Sequence, residues 1–209
     1  MIKITSFSCS LNSCLVPYKF IKHVHARKKS NSSLHYKYTP EIEAAVNKQI
    51  QIEQQAAQDY LNIAVKFLHP GQLRPGAAGF FMRMYEEELR HMQQFILYQL
   101  RRGGTPLISC LKEPLDLPKI SLLDAFNKAI EMEKSVTESL ENLIILAEKA
   151  KDYQCVDFVT SKFLSEQMSS IDELAQHIAS LSKLSDGEHG VYHYDLRLAK
   201  RYPYTYLAI

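Results

Sequence analysis

The stretch that decides the fold is residues 80–102, FFMRMYEEELRHMQQFILYQLRR. At helical spacing one face of this stretch carries, in order, Met84, Glu88, His91, Phe95 and Tyr98. This is an apolar seam interrupted at its middle by a carboxylate and an imidazole three residues apart, which lean toward the same point. A lone carboxylate in a core costs several kcal/mol (order of magnitude) unless it is neutralised or paired. Oxygen and imidazole ligands together suit a first-row transition metal.

Three further long helices show the same construction, so that four are predicted in all, with the stretch above in the second. The first is predicted from a Thr39-Pro40-Glu41 start to about Leu68, the second from Pro75 to Gly103, the third after Ser121, and the fourth over residues 154–184. The seams of the other three are interrupted by Glu53 with Tyr60 two turns on, by Glu133, and by Gln167 with Ser170. In full, the first seam is Val46, Gln49, Glu53, Ala56, Tyr60, Ile63 and Phe67, the third is Phe126, Ala129, Glu133, Val136, Leu140, Leu143 and Ala147, and the fourth is Val156, Thr160, Phe163, Gln167, Ser170, Leu174, His177 and Leu181. His177, near the end of the fourth seam, is interpreted as a hydrogen-bonded residue at the end of the bundle rather than a ligand.

The connections predict the architecture. Two are short, whereas residues 105–120 contain three prolines and no periodic pattern, which favours a crossover along the molecule. Four long helices with one long connection make a four-helix bundle with a crossover, and residues 191–202 add a short fifth helix. The chain is therefore predicted to be all-α. The mid-seam residues Glu53, Glu88, His91, Glu133 and Gln167 would then converge at the bundle centre, where two divalent cations would offset three carboxylates.

Composition separates the amino-terminal segment from the rest of the chain. Residues 1–40 hold seven Lys or Arg and no acid, whereas the remainder carries 18 basic and 23 acidic side chains. A basic, Ser-rich, acid-free segment is typical of a transit peptide, so residues 1–38 are expected to be a disordered extension with a mitochondrial address and residues 39–209 the folded domain. A cytosolic tail is the alternative, and secretion is less favoured because Cys9 and Cys14 would face oxidation. No run of 18 apolar residues predicts a membrane span, and no motif predicts nucleic-acid binding.

These motifs together make residues 39–198 resemble a ferritin of the catalytic heavy-chain type. The resemblance rests on residues 47–53 (NKQIQIE) with Tyr60, residues 86–91 (EEELRH), residues 102–104 (RGG), residues 132–134 (MEK) and residues 164–167 (LSEQ). It implies a ferroxidase, an Fe(II):oxygen oxidoreductase that oxidises iron with O2 and stores it as a ferric mineral inside a shell of twenty-four like or mixed subunits.

The resemblance also implies roles for individual residues. Glu53, Glu88 and His91 would hold the first of two transient irons, Glu88 would bridge to the second, and Glu133 would hold that one. Gln167 would position water or oxygen, Tyr60 would hydrogen-bond at the site, and Glu87 would be an alternative ligand that leads iron onward. The alternatives are a light-chain-like structural subunit, which would lack the carboxylates, and a permanent di-iron enzyme, which would carry another Glu-x-x-His where this chain has Gln167 and Ser170.

Overall fold

The described part of the chain contains six α-helices and one π-helical segment, joined by irregular connections. A computed structural model of the protein describes residues 36–113, 119–184 and 187–204. The α-helices are α1 (Pro40–Leu68), α2 (Pro75–Arg101), α3 (Leu122–Lys149), α4 (Tyr153–Val159), α5 (Ser165–Leu181) and α6 (Glu188–Arg201). The π-helical segment Thr160–Leu164 joins α4 to α5, so these three form the fourth long rod. No strand occurs within those ranges, which confirms the all-α prediction.

Local sequence sets the helix starts. The Thr39 hydroxyl accepts a hydrogen bond from the backbone N–H of Ile42 at 3.3 Å, and Pro40 occupies the first turn. Ser121 caps α3 in the same way, accepting from the backbone N–H of Asp124 at 3.0 Å. Side-chain oxygens at these positions satisfy amide groups that have no partner inside the helix. Both predicted starts are confirmed.

Two clusters rich in aromatic residues form the core. The residues that interrupt the seams, Glu53, Glu88, His91, Glu133 and Gln167, lie at the level between these clusters in each of the four long helices. One cluster surrounds Phe80, Phe81 and Phe126, and the other surrounds Phe95 and Phe163. In the first three rods every predicted seam residue is buried, including the three interrupting carboxylates. Packing therefore places the polar residues at one level of the bundle, with an apolar cluster on either side.

The long connection between α2 and α3 follows α1, as expected for a crossover. Asn47 donates to the carbonyl of Thr105 at 3.0 Å and accepts from the backbone N–H of Leu107 at 2.9 Å. About two turns farther along α1, the Gln55 side-chain oxygen accepts a hydrogen bond from the backbone N–H of Lys112 at 2.8 Å. These contacts satisfy backbone groups that lie outside any helix.

The fourth rod differs from its prediction. Sequence periodicity placed Val156 and Thr160 on the buried face, but the buried residues there are Cys155 and Val159, and Thr160 is exposed. A π-helical turn contains an additional residue, so it shifts the buried face by one position between α4 and α5. From Phe163 onward the predicted seam holds, and it brings Gln167 and Ser170 into the interior.

The sixth helix docks closely on α2. A Cβ atom at Gly76 would lie 2.0 Å from the carbonyl oxygen of Asp195, and one at Gly79 would lie 2.1 Å from the carbonyl oxygen of Tyr202. The Asp195 carboxylate accepts a hydrogen bond from the backbone N–H of Ala77 at 2.8 Å. Because the residue that precedes α2 supplies no side-chain cap, Asp195 provides it from another helix.

None of the helices in the described ranges is long and apolar enough to cross a bilayer.

Candidate metal centre

The tightest group in the bundle interior joins α1 to α2. Glu53 contributes from α1, and Glu88 and His91 contribute from α2; one ligand atom from each lies within 4.8 Å of the others. All three residues are at most 2% exposed. The Nδ1 atom of His91 lies 3.4 Å from Glu88 Oε2. The three residues predicted to hold one cation are thus brought together.

A second group, from the other side of the bundle, centres on Glu133. The Tyr60 hydroxyl donates to Oε1 of Glu133, and the Gln167 side-chain amide donates to Oε2 at 2.8 Å. Thr137 donates to the Glu133 backbone carbonyl, also at 2.8 Å. Glu133 is not a member of the 4.8 Å group, but its charge raises the pKa of Glu88. The two groups therefore share one electrostatic environment, with each oxygen of Glu133 already holding a neutral donor.

Two carboxylate oxygens in this interior have no hydrogen-bond partner. Oε2 of Glu53 and Oε2 of Glu88 are fully buried and accept no hydrogen bond from another residue's N–H or hydroxyl group. The two carboxyls can hydrogen-bond to each other only if one of them is protonated. Leaving such groups unsatisfied is costly, and a cation removes the cost by accepting their lone pairs. Two oxygens and an imidazole nitrogen are a ligand set suited to a divalent first-row metal. The chemistry of the donors therefore fits the predicted ion.

Burial controls the protonation of the same carboxyls. Removal from water raises the pKa of Glu53 well above its ordinary value, and the neighbouring Glu88 charge raises it further. Burial, followed by the Glu133 charge, raises the pKa of Glu88 to about 8. The pKa of Glu133 is also raised by burial, although the bonds from Tyr60 and Gln167 oppose that shift. Without a cation the cluster retains protons, so metal binding must release them.

Gln49 fixes the orientation of Glu53. Its side-chain amide donates to Glu53 Oε1 at 2.7 Å, and its own oxygen accepts from the Ser139 hydroxyl at 2.7 Å. This chain of bonds occupies one oxygen of Glu53 and leaves Oε2 facing the group. Sequence analysis placed Gln49 on the seam without a role; its position one turn before the lone carboxylate was the available signal.

A partly exposed group flanks the centre on the other side of His91. Ligand atoms of Glu87, His91 and Glu166 lie within 4.8 Å of one another. Each of the two carboxylates here has an arginine partner: Arg83 lies 3.1 Å from Glu87, and Arg90 lies 2.5 Å from Glu166. Glu87 thus stands beside the centre, where an alternative ligand was expected. Glu166 was missed because it lies off the seam, next to Gln167.

A cavity of about 490 Å³ opens outside this group. Glu87 and Glu166 line it together with Ser170, Glu173 and Tyr202. The cavity lies between α2, α5 and the end of α6 and reaches the outer group, and none of its lining residues belongs to the Glu53, Glu88 and His91 group.

Comparison with known proteins identifies the family. The family described as a ferritin-like domain matches residues 43–184. The soma ferritin of Lymnaea stagnalis is 36% identical over 158 residues, covering 76% of this chain and 91% of that protein. The chain belongs to the ferritin family. The ferritin-2 heavy chain of Schistosoma mansoni, also 36% identical over 158 residues, covers 76% of this chain and 92% of its own length, in agreement with the heavy-chain type.

Plant relatives correct the expected address. A chloroplastic ferritin of Malus baccata var. xiaojinensis is 36% identical over 165 residues, which is 77% of this ferritin chain and 66% of the plant protein. The chain thus spans just under two thirds of the length of the chloroplastic relatives that it matches. This comparison contradicts the mitochondrial prediction, because six of the matched relatives are chloroplastic ferritins. Basic, Ser-rich composition does not distinguish the two organelles. Residues 1–35 of the predicted extension lie outside the described residues.

Proposed function

We propose that this chain is an iron-storage ferritin subunit that oxidises Fe(II) with O2 inside its helical bundle. The observation that carries the proposal is the buried group of Glu53, Glu88 and His91, with two carboxylate oxygens that lack partners. The family supports iron as the cation, and the donor set suits it.

The first Fe(II) binds to Glu53, Glu88 and the Nδ1 atom of His91. Apolar clusters above and below this level exclude water, so the carboxylates bind the ion in a low-dielectric setting where attraction is strong. The Glu133 charge raises the pKa of Glu88, so the two carboxyls share one electrostatic environment, and Glu88 would bridge from the first ion to a second ion beside Glu133. A pair of Fe(II) ions would supply two electrons, one from each ion, to a single O2, which takes up two protons from water and leaves as hydrogen peroxide while both ions become Fe(III).

The second ion has the weaker set of ligands. The second ion would share Glu88 with the first ion, so Glu133 is the one carboxylate proposed to bind the second ion alone. On the α5 side the buried residues are the neutral Gln167 and Ser170. Weak binding suits an ion that is oxidised and then moves on. Glu87, at the edge of the centre and beside the cavity, is the proposed next contact for the product ion.

In this scheme Tyr60 keeps its hydroxyl proton and orients the Glu133 carboxylate. Its hydroxyl donates to Glu133, and burial with the adjacent carboxylates raises its pKa well above the ordinary value. Tyr60 therefore remains protonated and keeps one oxygen of Glu133 in a fixed direction. Its position also permits electron donation to the site.

Stopped-flow absorbance at the onset of Fe(III) formation tests the proposal. Oxygen-free protein loaded with Fe(II) and then mixed with aerated buffer is expected to form Fe(III) rapidly, and Glu88→Ala is expected to remove the rapid phase. Glu131→Gln is the matched control, because Glu131 is an exposed acid on α3 outside the centre. A rapid phase of equal size in Glu88→Ala would refute the assignment. Absence of a rapid phase in the unaltered protein would favour the structural, light-chain-like role.

The family supports assembly into a hollow cage with like or mixed ferritin chains. Electron microscopy of the purified protein tests assembly, since a shell of twenty-four subunits is visible directly and a monomer would contradict it. A plastid address is supported by the chloroplastic relatives. Residues 1–38 placed before a fluorescent reporter in plant protoplasts are expected to direct it to plastids, and a diffuse reporter would refute this.

A further inference from the structure

His91 lies between two carboxylates, with one ring nitrogen facing each. Nδ1 is 3.4 Å from Glu88 Oε2, inside the proposed iron site, and Nε2 is 3.2 Å from Glu166 Oε2, outside it. The ring is 2% exposed and packs edge-on against Phe163, with the ring centroids 5.3 Å apart. Packing therefore holds the ring in a plane in which Nδ1 faces Glu88 and Nε2 faces Glu166.

The two tautomers of a neutral imidazole are not equivalent in this setting. When Nε2 carries the hydrogen, it donates to Glu166 and leaves the Nδ1 lone pair free for a cation next to Glu53 and Glu88. In the other tautomer an N–H group faces the cation, and a lone pair faces the Glu166 carboxylate. An acceptor beyond the outer nitrogen thus selects the form that binds metal, as metal-ligating histidines commonly require.

Arg90 in turn holds the acceptor in place. Its guanidinium lies 2.5 Å from Glu166 Oε1, so the other oxygen, Oε2, is the one directed at His91. Arg90 and Glu166 come from different rods, α2 and α5, and their contact joins the two helices beside the centre. Glu166 also directly precedes Gln167, so a single turn of α5 supplies both the acceptor for His91 and a donor to Glu133.

We propose that Glu166, held by Arg90, is a positioning residue that fixes the tautomer of His91 for iron binding. This inference rests on the proposed function. It differs from the other chemistry open to Glu166, in which its carboxylate would itself bind a metal ion together with Glu87 and His91. As a positioning residue, Glu166 acts only through the imidazole.

Binding of Co(II), measured by calorimetry on oxygen-free and otherwise metal-free protein, separates these roles. Glu166→Ala is expected to weaken the tightest Co(II) site by about 10–100-fold without changing the number of ions bound. Glu166→Gln retains a side-chain oxygen that accepts from Nε2 and is expected to restore most of the affinity. Arg90→Ala is expected to give a smaller loss than Glu166→Ala, because the acceptor remains but is no longer held.

The decisive comparison repeats the substitution in a background of His91→Leu, which fills the volume of the ring without either nitrogen. If Glu166 acts only through His91, Glu166→Ala has no further effect on the Co(II) sites that remain in that background. An equal loss in both backgrounds, or a loss of one whole ion at unchanged affinity of the others, would overturn the inference and make Glu166 a ligand. Far-UV circular dichroism verifies that each variant is folded.

The same isotherms distinguish this inference from the proposed function. If unaltered protein and His91→Leu bind Co(II) identically, the proposed iron site is wrong and the inference falls with it. If His91→Leu loses the tight site while Glu166→Ala retains full affinity, the iron site stands and the positioning role alone is refuted.

Discussion

Replacing the Glu88 carboxylate with an amide is expected to stabilise the metal-free protein at neutral and alkaline pH. Burial and the Glu133 charge raise the pKa of Glu88 from 4.5 to about 8. Between these two values the unfolded chain loses the proton while the folded chain keeps it, so the free energy of unfolding falls as pH rises. One pH unit corresponds to about 1.4 kcal/mol for one proton, and the gap of about 3.5 units gives a ceiling of ~5 kcal/mol. Glu88→Gln removes that loss while preserving the side-chain shape.

Guanidinium unfolding of chelator-treated protein at pH 5, 6.5 and 8, followed by circular dichroism at one protomer concentration, measures the effect. The stability advantage of Glu88→Gln is expected to be largest at pH 8 and to shrink toward pH 5. Added Zn(II) should stabilise the unaltered protein at pH 8 by binding its folded state, and should stabilise Glu88→Gln much less. Glu131→Gln, the exposed control on α3, should keep the original pH dependence. A Glu88→Gln protein with the same pH slope as the unaltered chain would refute the reasoning.

Three further substitutions test how the bundle is held together. Asp195→Ala removes the cap of α2 and should cost ~1 kcal/mol of unfolding free energy; an unchanged melting temperature would contradict this. Gly79→Ala places a methyl group against the Tyr202 carbonyl, so α6 should separate from α2 and become sensitive to brief proteolysis, whereas full protease resistance would contradict the close packing. Arg102 pairs with Asp152 at 2.7 Å and also donates to Tyr98 and Gln154, so Asp152→Ala removes one charged hydrogen-bond partner and should cost ~2–3 kcal/mol in guanidinium unfolding, with a loss below 1 kcal/mol as the contrary result.

Much of the fold could be predicted because its signals are local. The helix starts at Thr39 and Ser121 are predicted from side-chain hydroxyls that can accept a hydrogen bond from a backbone N–H three residues on. Both hydrogen bonds are present in the structure. The seams of the first three rods depend only on helical periodicity, and all their predicted residues are buried. His177, expected to be hydrogen-bonded at the end of the bundle, contacts the Tyr194 hydroxyl at 2.7 Å.

The remaining features depend on contacts between distant parts of the chain. The π-helical segment Thr160–Leu164 shifts a seam that a constant period describes as continuous, so Thr160 was wrongly placed inside. Asp195 caps a helix more than a hundred residues away, which no local pattern can indicate. Glu166 lies off the apolar face, and its contact with His91 exists only once α2 and α5 are packed.

The measurement that tests the central claim most directly is anomalous diffraction at the iron edge from crystals loaded with Fe(II) under exclusion of oxygen. Two iron peaks per subunit are expected inside the bundle. One should lie among Glu53, Glu88 and the Nδ1 atom of His91, and the other should lie between Glu88 and Glu133. Iron found only on the outer or inner surface of the subunit, with no peak at the level of Glu88, would contradict the account.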